Sequence, residues 1–309
     1  MKARKLLAAG LIAGLITMSF AGCSSQNGTP TAENNYGLDE LVMVRIPGED
    51  SEKNVQLQDN LAKDMAEALG IPCTVYRATD YSAAVEAMRT GQAQLAELGP
   101  FSYVTARERA GAEALVVRGN RETGVGGYTS RFVVRSDSDI ETLQDLQGKT
   151  FAFADPESTS GNIIPSDIII NELPELGLTF DDLHTDGKFF KSAMYSGSHI
   201  SSVQAVIQGN VDAAAVSSVT MENQIEAGNI NEDDLKVIYE SPIIPMNPVA
   251  VQKDLPQELK DKIKEFLLSY DDPEFFGDEE GKDQERFIQA DDSLYDYLQE
   301  LKEKYNLSD

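Results

Sequence analysis

Phe151-Ala152-Phe153-Ala154-Asp155-Pro156-Glu157-Ser158-Thr159-Ser160-Gly161-Asn162-Ile163-Ile164-Pro165 runs from an apolar segment through a hydroxyl-rich corner into a second apolar segment. A short apolar run reads as a buried strand, and an apolar helical pattern follows from about Ser160. Between them lie three hydroxyl residues and a glycine. Backbone N–H groups at a helix start have no partner within the helix, and the helix dipole is positive there. Such a corner can hold an anion, and Ser and Thr add donors without adding charge. Pro165 has no N–H, so it belongs in a first turn, which puts the helix start near Ser160 or Gly161. Ordinary N-capping, which needs only one such hydroxyl, is the simpler alternative at this point.

Working outward, strands alternate with helices. Leu41–Ile46, 73–77, 93–98 and 115–117 read as strands, and 52–69 and 81–90 as helices, with a further helix opening at Gly99-Pro100. Beyond Phe132-Val133-Val134 the pattern resumes with strands at 211–216, 235–239 and 249–251 and helices at 203–208 and 218–227. Residues 172–188 read as an acidic loop, with His184 exposed in it. Residues 256–269 and 282–304 read as acidic amphipathic helices. This alternation predicts an α/β fold with mostly parallel sheets flanked by helices.

The N-terminus reads as an address. Lys2, Arg4 and Lys5 precede an apolar run from Leu6 to Phe20. That is the pattern of a secretory signal, and the run is short for a membrane span. Phe20-Ala21-Gly22-Cys23 resembles a bacterial lipobox, which predicts removal of residues 1–22 and a lipid on Cys23. Residues 23–37, rich in Ser, Asn, Gly, Thr and Pro, read as a flexible tether. Cys73 is then the single remaining thiol, expected to be a buried apolar residue.

The 309 residues suffice for two domains. Acids number 52 against 26 Lys and Arg, a net charge of −26. That argues against nucleic acid and anionic lipid as partners. Two Cys and two His leave little for a zinc cage, and no cofactor is expected. Tryptophan is absent, which disfavours a stacking groove for sugars or bases. The G-x-S-x-G, H-E-x-x-H and Walker patterns are missing, so an enzyme is not expected.

Three further corners stand out. Gly99-Pro100-Phe101-Ser102-Tyr103 joins a strand to a helix. Ser196-Gly197-Ser198-His199 precedes a helix, where His199 is either a capping residue or a donor toward an anion. Ser241-Pro242-Ile243-Ile244-Pro245-Met246-Asn247-Pro248 is a proline-stiffened loop.

In series, these strings resemble the phosphonate/phosphite/phosphate-binding proteins of ABC importers, a family of type II periplasmic binding proteins. The residues are Ala78-Thr79-Asp80-Tyr81 with Met88-Arg89, Gly99–Tyr103, Gly127-Tyr128, Asp155–Gly161 with Pro165, Ser196–His199, Val211-Asp212-Ala213-Ala214 and Ser241–Pro245. The resemblance implies two α/β lobes joined by two chain crossings, with ligand in the cleft. The expected boundaries are 38–130 plus 236–309 for one lobe and 131–235 for the other. It further implies that Ser158, Thr159 and nearby backbone N–H groups hold an oxyanion, with Tyr81 and Tyr128 reaching it from the first lobe and His199 from the second. Tyr103 and Ser160 are weaker members of the set. Where relatives that take aminoalkyl phosphonates place acids, this chain has Val219 and Asn247, which disfavours such a ligand. The expected protein is a lipid-anchored, monomeric, extracytoplasmic solute-binding protein that delivers phosphonate, phosphite or phosphate to an ABC permease and its ATPase. The alternatives are a binder of another small oxyanion or organic ligand, an extracellular sensor lobe, and a secreted phosphatase-like enzyme.

Overall fold

In the first sheet, Leu41, Met43 and Val44 are all buried, so the strand Leu41–Arg45 is covered on both faces. It pairs in parallel with Cys73–Arg77 and Leu95–Glu97. Such pairing requires crossovers, which the helices Glu52–Leu69 and Tyr81–Arg89 provide. The order across the sheet is Glu285–Gln289, Glu113–Asn120, Pro248–Val251, Leu95–Glu97, Leu41–Arg45, Cys73–Arg77, with Gly124–Val125 hairpinned onto Glu113–Asn120. The second sheet runs Leu235–Glu240, Ser130–Arg135, Ala213–Ser217, Thr150–Phe153, Ser192–Tyr195. The α/β class with flanking helices is borne out, with mixed sheets. Pairing is parallel at the crossovers and antiparallel where the chain returns from the other sheet. The computed structural model describes residues 36–48, 52–122, 124–278 and 285–307.

The chain passes between the sheets twice, and the two passages lie side by side. Gly127–Tyr128 pairs antiparallel with Ile244–Pro245. A Cβ on Gly127 would lie 2.2 Å from Ile243 Cγ2 and 3.0 Å from the Ile244 carbonyl, so only glycine lets these strands approach. Just beyond, Ser130 N–H donates to Ser241 Oγ and Ser241 N–H to the Ser130 carbonyl.

Several expectations are corrected. Leu235–Glu240 pairs with Ser130–Arg135, so the return to the first sheet lies in 241–247 rather than at 236. Residues 282–304 are not one helix. Glu285–Gln289 forms an edge strand beside Glu113–Asn120, and the helix begins at Asp296. Phe287 is the cause: as strand it buries against Phe275 and Phe276. The 172–188 stretch contains the helix Phe180–His184, started by a capping box between Thr179 and Asp182. Tyr36 falls within the expected tether, yet its hydroxyl meets Glu258 and Lys262 of the helix Gln257–Ser269. The signal segment and Cys23 lie outside the described residues.

Apolar packing ties the sheets together. One cluster sits between the first sheet and the helices Glu52–Leu69 and Gln257–Ser269, built on Leu61, Met65, Leu259 and Ile263. Another runs from Val85 and Phe101 of the first unit to Phe132, Phe151 and Phe153 of the second. The described residues accordingly pack as one compact unit. Cys73 is half-buried, and burial with the nearby Glu40 carboxylate pushes its thiol up to about 12, so it stays an inert thiol.

Candidate functional site

The Asp155–Gly161 corner lies where the two sheets meet. Its helix starts one residue earlier than expected and starts wide. Thr159–Ile163 is a single π turn, continued by the α-helix Ile164–Glu172. Ile163 N–H donates to the Ser158 carbonyl five residues back, and Ile164 N–H to Thr159. Pro165 explains the widening. Without an N–H it can serve neither the Ser160 nor the Gly161 carbonyl. Both are served from elsewhere: Ser130 Oγ donates to the Ser160 carbonyl at 2.6 Å, and Ala154 N–H to the Gly161 carbonyl at 3.0 Å. Ser158 is the N-cap, its Oγ accepting Gly161 N–H at 3.1 Å. Capping is therefore real here, and it occupies Ser158 Oγ only as an acceptor, leaving its proton free to donate.

His199 completes the corner. It is the first residue of the helix His199–Ile207, capped by Ser198. Its Nδ1 accepts the Ser217 N–H at 3.2 Å. That contact fixes the tautomer: Nδ1 carries no proton and Nε2 does. Burial reinforces neutrality, pulling the ring's pKa from 6.5 to about 4. The protonated Nε2 lies 3.3 Å from Ser160 Oγ and 3.5 Å from Ser158 Oγ. Three uncharged donors thus converge in a buried place. The structure corrects one possibility raised by the sequence: His199 donates as imidazole, not imidazolium. Gly161 makes the convergence possible. A Cβ there would lie 2.4 Å from Ala154 Cβ, 2.8 Å from Ser158 Oγ and 2.9 Å from His199 Cε1.

The same loop reaches across to the first sheet. Thr159 Oγ1 accepts the Phe101 N–H at the start of the helix Pro100–Ala110. Ser102 Oγ donates to the Glu157 carbonyl, and Thr105 Oγ1 to the Glu157 carboxylate. The Asp155 carboxylate accepts the N–H groups of Glu157 and of Tyr81, first residue of the helix Tyr81–Arg89. Burial pushes its carboxyl above the usual range, opposed by those two N–H groups.

The remaining expected residues divide. Tyr81 is buried at this junction. Tyr128 lies in the crossing strand, two residues before Ser130, beside the phenols of Tyr295 and Tyr297. Tyr103 is different, and its expected role is corrected. It is fully buried, its hydroxyl donates to Asp292 and accepts Ala114 N–H, and its ring packs edge-on against Tyr295. Those contacts commit it to the core. Val219 and Asn247 are both half-buried, in the helix Ser218–Glu226 and in the second crossing.

His184, expected to be exposed, is a residue that sequence reasoning missed. Its ring stacks against Phe153, Phe180 and Tyr195, and it contacts Asn162 in the π turn. The Thr179-x-x-Asp182 capping box, which makes Phe180 and His184 neighbours on one helical face, was the available signal.

Residues 43–295 match the family model described as "ABC transporter, phosphonate, periplasmic substrate-binding protein". The chain belongs to this family. It is 30% identical over 257 residues to the phosphate-import protein PhnD of Mycolicibacterium smegmatis, covering 82% of this chain and 78% of the relative. It is 28% identical over 267 residues to the phosphonates-binding periplasmic protein of Escherichia coli, covering 85% and 75%. In fold it is similar to a binding protein component of an ABC phosphonate transporter from Pseudomonas aeruginosa, with TM-score 0.75, 24% identity and 86% of each chain covered. PhnD1 from Prochlorococcus marinus, solved with methylphosphonate, aligns with TM-score 0.72 and 23% identity over 87% of this chain and 98% of that one. The family's members act outside the cytoplasm as substrate-binding components of ABC importers, and this phosphonate-family binding protein does the same.

Proposed function

We propose that the corner built from Ser158, Thr159, Ser160 and His199 binds a phosphorus oxyanion: phosphate, phosphite, or an alkylphosphonate lacking an ammonium group. Tyr81 and Tyr128 contribute from the first lobe. The observation that carries this reading is the approach of the His199 Nε2–H to the Ser158 and Ser160 hydroxyls, within 3.5 Å. Hydroxyls and an imidazole N–H meet a dianion with charge-assisted hydrogen bonds while adding no cation, so release to a permease is not opposed by an ion pair. The phosphate-import and phosphonates-binding relatives agree with that ligand class. Val219 and Asn247 are uncharged and offer no carboxylate to pair with an ammonium group.

The ligand is bound and released unchanged by a monomer with one lobe built on the sheet from Ser130 to Glu240 and the other on the segments before and after it. A lipid on Cys23 holds it at the outer face of the membrane, next to the permease and its ATPase. Calorimetric titration with phosphate, phosphite, methylphosphonate and aminoethylphosphonate tests the ligand. Binding of one of the first three, with aminoethylphosphonate weaker, is expected; preference for aminoethylphosphonate would overturn the reading. Cys23→Ser should release the protein from the membrane fraction, and continued membrane association would remove the anchor.

A further inference from the structure

We propose that His184 is held as an imidazolium and, through Asn162, positions the anion-binding loop. The inference rests on the site proposed above for its consequence, and on geometry alone for the charge.

Both ring nitrogens of His184 face oxygen. Nδ1 lies 2.8 Å from the Phe180 carbonyl, and Nε2 lies 2.7 Å from Asn162 Oδ1. A neutral imidazole has one N–H, so one of these oxygens would face a lone pair. Turning the Asn162 amide over does not help. Its Nδ2 donates to the Pro156 carbonyl at 2.8 Å, and the turned amide would set oxygen against oxygen there. The Asn162 side chain also bonds the Tyr195 hydroxyl. A doubly protonated ring satisfies every contact.

The surroundings suit a cation. The ring lies nearly parallel to Phe153 at 4.4 Å, to Phe180 at 4.5 Å and to Tyr195 at 5.8 Å. Aromatic faces attract cations, more so when desolvated. Burial is the largest influence and lowers the ring's pKa from its ordinary value, against the Phe180 carbonyl and the Asp181 carboxylate; the second proton is held by the 2.7 Å contact with Asn162 Oδ1, which adds to those two. The other titratable groups nearby are the Tyr195 phenol, with Asp155 beyond it, and Tyr305 behind Phe180, which carries Asp167 and Lys304.

The consequence follows from Asn162. By joining the Pro156 carbonyl, it closes the loop from Pro156 to the π turn that carries Ser158, Thr159 and Ser160. His184 is therefore a positioning residue that also sets one positive charge behind the uncharged donors Ser158, Thr159, Ser160 and His199. By linkage, an anion that gains from this charge must raise the proton affinity of His184.

The chain has two histidines, so the test is direct. Ring resonances are followed by NMR against pH, assigned with His184→Gln and His199→Gln, without ligand and with saturating phosphate or methylphosphonate. From the two oxygen contacts, expected are two protonated nitrogens on His184 at pH 7 and an upward shift of its midpoint with bound anion. A neutral ring at pH 7 overturns the charge, and an unmoved midpoint with anion bound overturns the coupling. If neither anion binds, the ligand proposal fails while the ligand-free ring still reports its own charge. His184→Gln should fold and weaken anion binding several-fold; unchanged affinity would overturn the positioning role.

Discussion

Thr159 Oγ1 accepts the backbone N–H of Phe101 at 2.8 Å, across the junction of the two sheets. The hydroxyl does so as an acceptor, so its proton is still available to a ligand. In the proposed site one side chain thereby serves both the junction of the sheets and the anion. Thr159→Val keeps the shape and removes both functions. Loss of a charge-assisted donor costs about 1.5–3 kcal/mol, which is roughly 10- to 150-fold in Kd. Thr159→Ser keeps the hydroxyl and should stay near wild type. Titration calorimetry on the two variants checks this, and equal affinity in Thr159→Val would reduce Thr159 to a packing residue.

Glu157 tests closure without touching the anion donors. Its carboxylate accepts from Thr105 Oγ1 at 2.8 Å, and Lys302 Nζ lies 3.4 Å from the same oxygen of Thr105. Glu157→Ala removes this cross-junction contact while leaving the Glu157 carbonyl to accept Ser102 Oγ. Closure contacts act chiefly on dissociation. The ligand off-rate should rise about 5-fold, near 1 kcal/mol for one partly exposed hydrogen bond. Stopped-flow dissociation measures it. An unchanged rate would mean the bound form does not use this contact.

Local chemistry was legible in the sequence, and distant partners were not. The Asp155–Gly161 string announced a hydroxyl-rich helix start because strand, caps and helix are contiguous. The π turn depends on Ser130 Oγ serving the Ser160 carbonyl, 30 residues away, and no local pattern encodes that. Tyr103 looked like a cleft residue because its partner Asp292 lies 189 positions further on. Glu285–Gln289 looked helical because its acidic surroundings mask a strand fixed by Phe287 against Phe275 and Phe276. His184 looked exposed because Asp181 and Asp182 flank it, whereas its ring is claimed by three aromatic side chains.

His199 makes a signed prediction about acid. Its ring titrates near 6.5 when unfolded and at about 4 when folded, because burial disfavours the charge. The folded pKa is the lower one, so this stability is complete above pH 6.5 and is lost as pH falls toward 4. The full effect is about 3 kcal/mol. Asp155, raised by burial, acts with the opposite sign in acid, so the readout is the difference between wild type and His199→Gln. Denaturant unfolding between pH 7 and pH 4 should show a shallower fall for the variant. Parallel curves would mean that His199 can take a proton in place, against its Nδ1 contact with the Ser217 N–H.

Gly161 gives the sharpest test of the site's geometry, because one methyl group separates the loop from His199. Its φ is not in the left-handed region, so alanine meets no backbone penalty there. The obstacle is purely spatial. The added carbon would sit 2.4 Å from Ala154 Cβ, 2.8 Å from Ser158 Oγ and 2.9 Å from His199 Cε1. Ala154 belongs to the strand end and its N–H holds the Gly161 carbonyl, so it cannot withdraw without breaking that bond. The loop and the His199 ring must therefore move apart, and the Nε2 approach to Ser158 and Ser160 opens. Overpacking of this kind costs about 1–3 kcal/mol in stability. The loss of affinity should be larger than that of Ser158→Ala, since all three donors are displaced rather than one. Thermal unfolding with and without saturating phosphate or methylphosphonate separates the two effects. If Gly161→Ala lowered Tm but kept wild-type affinity, the convergence on His199 would not be what holds the anion.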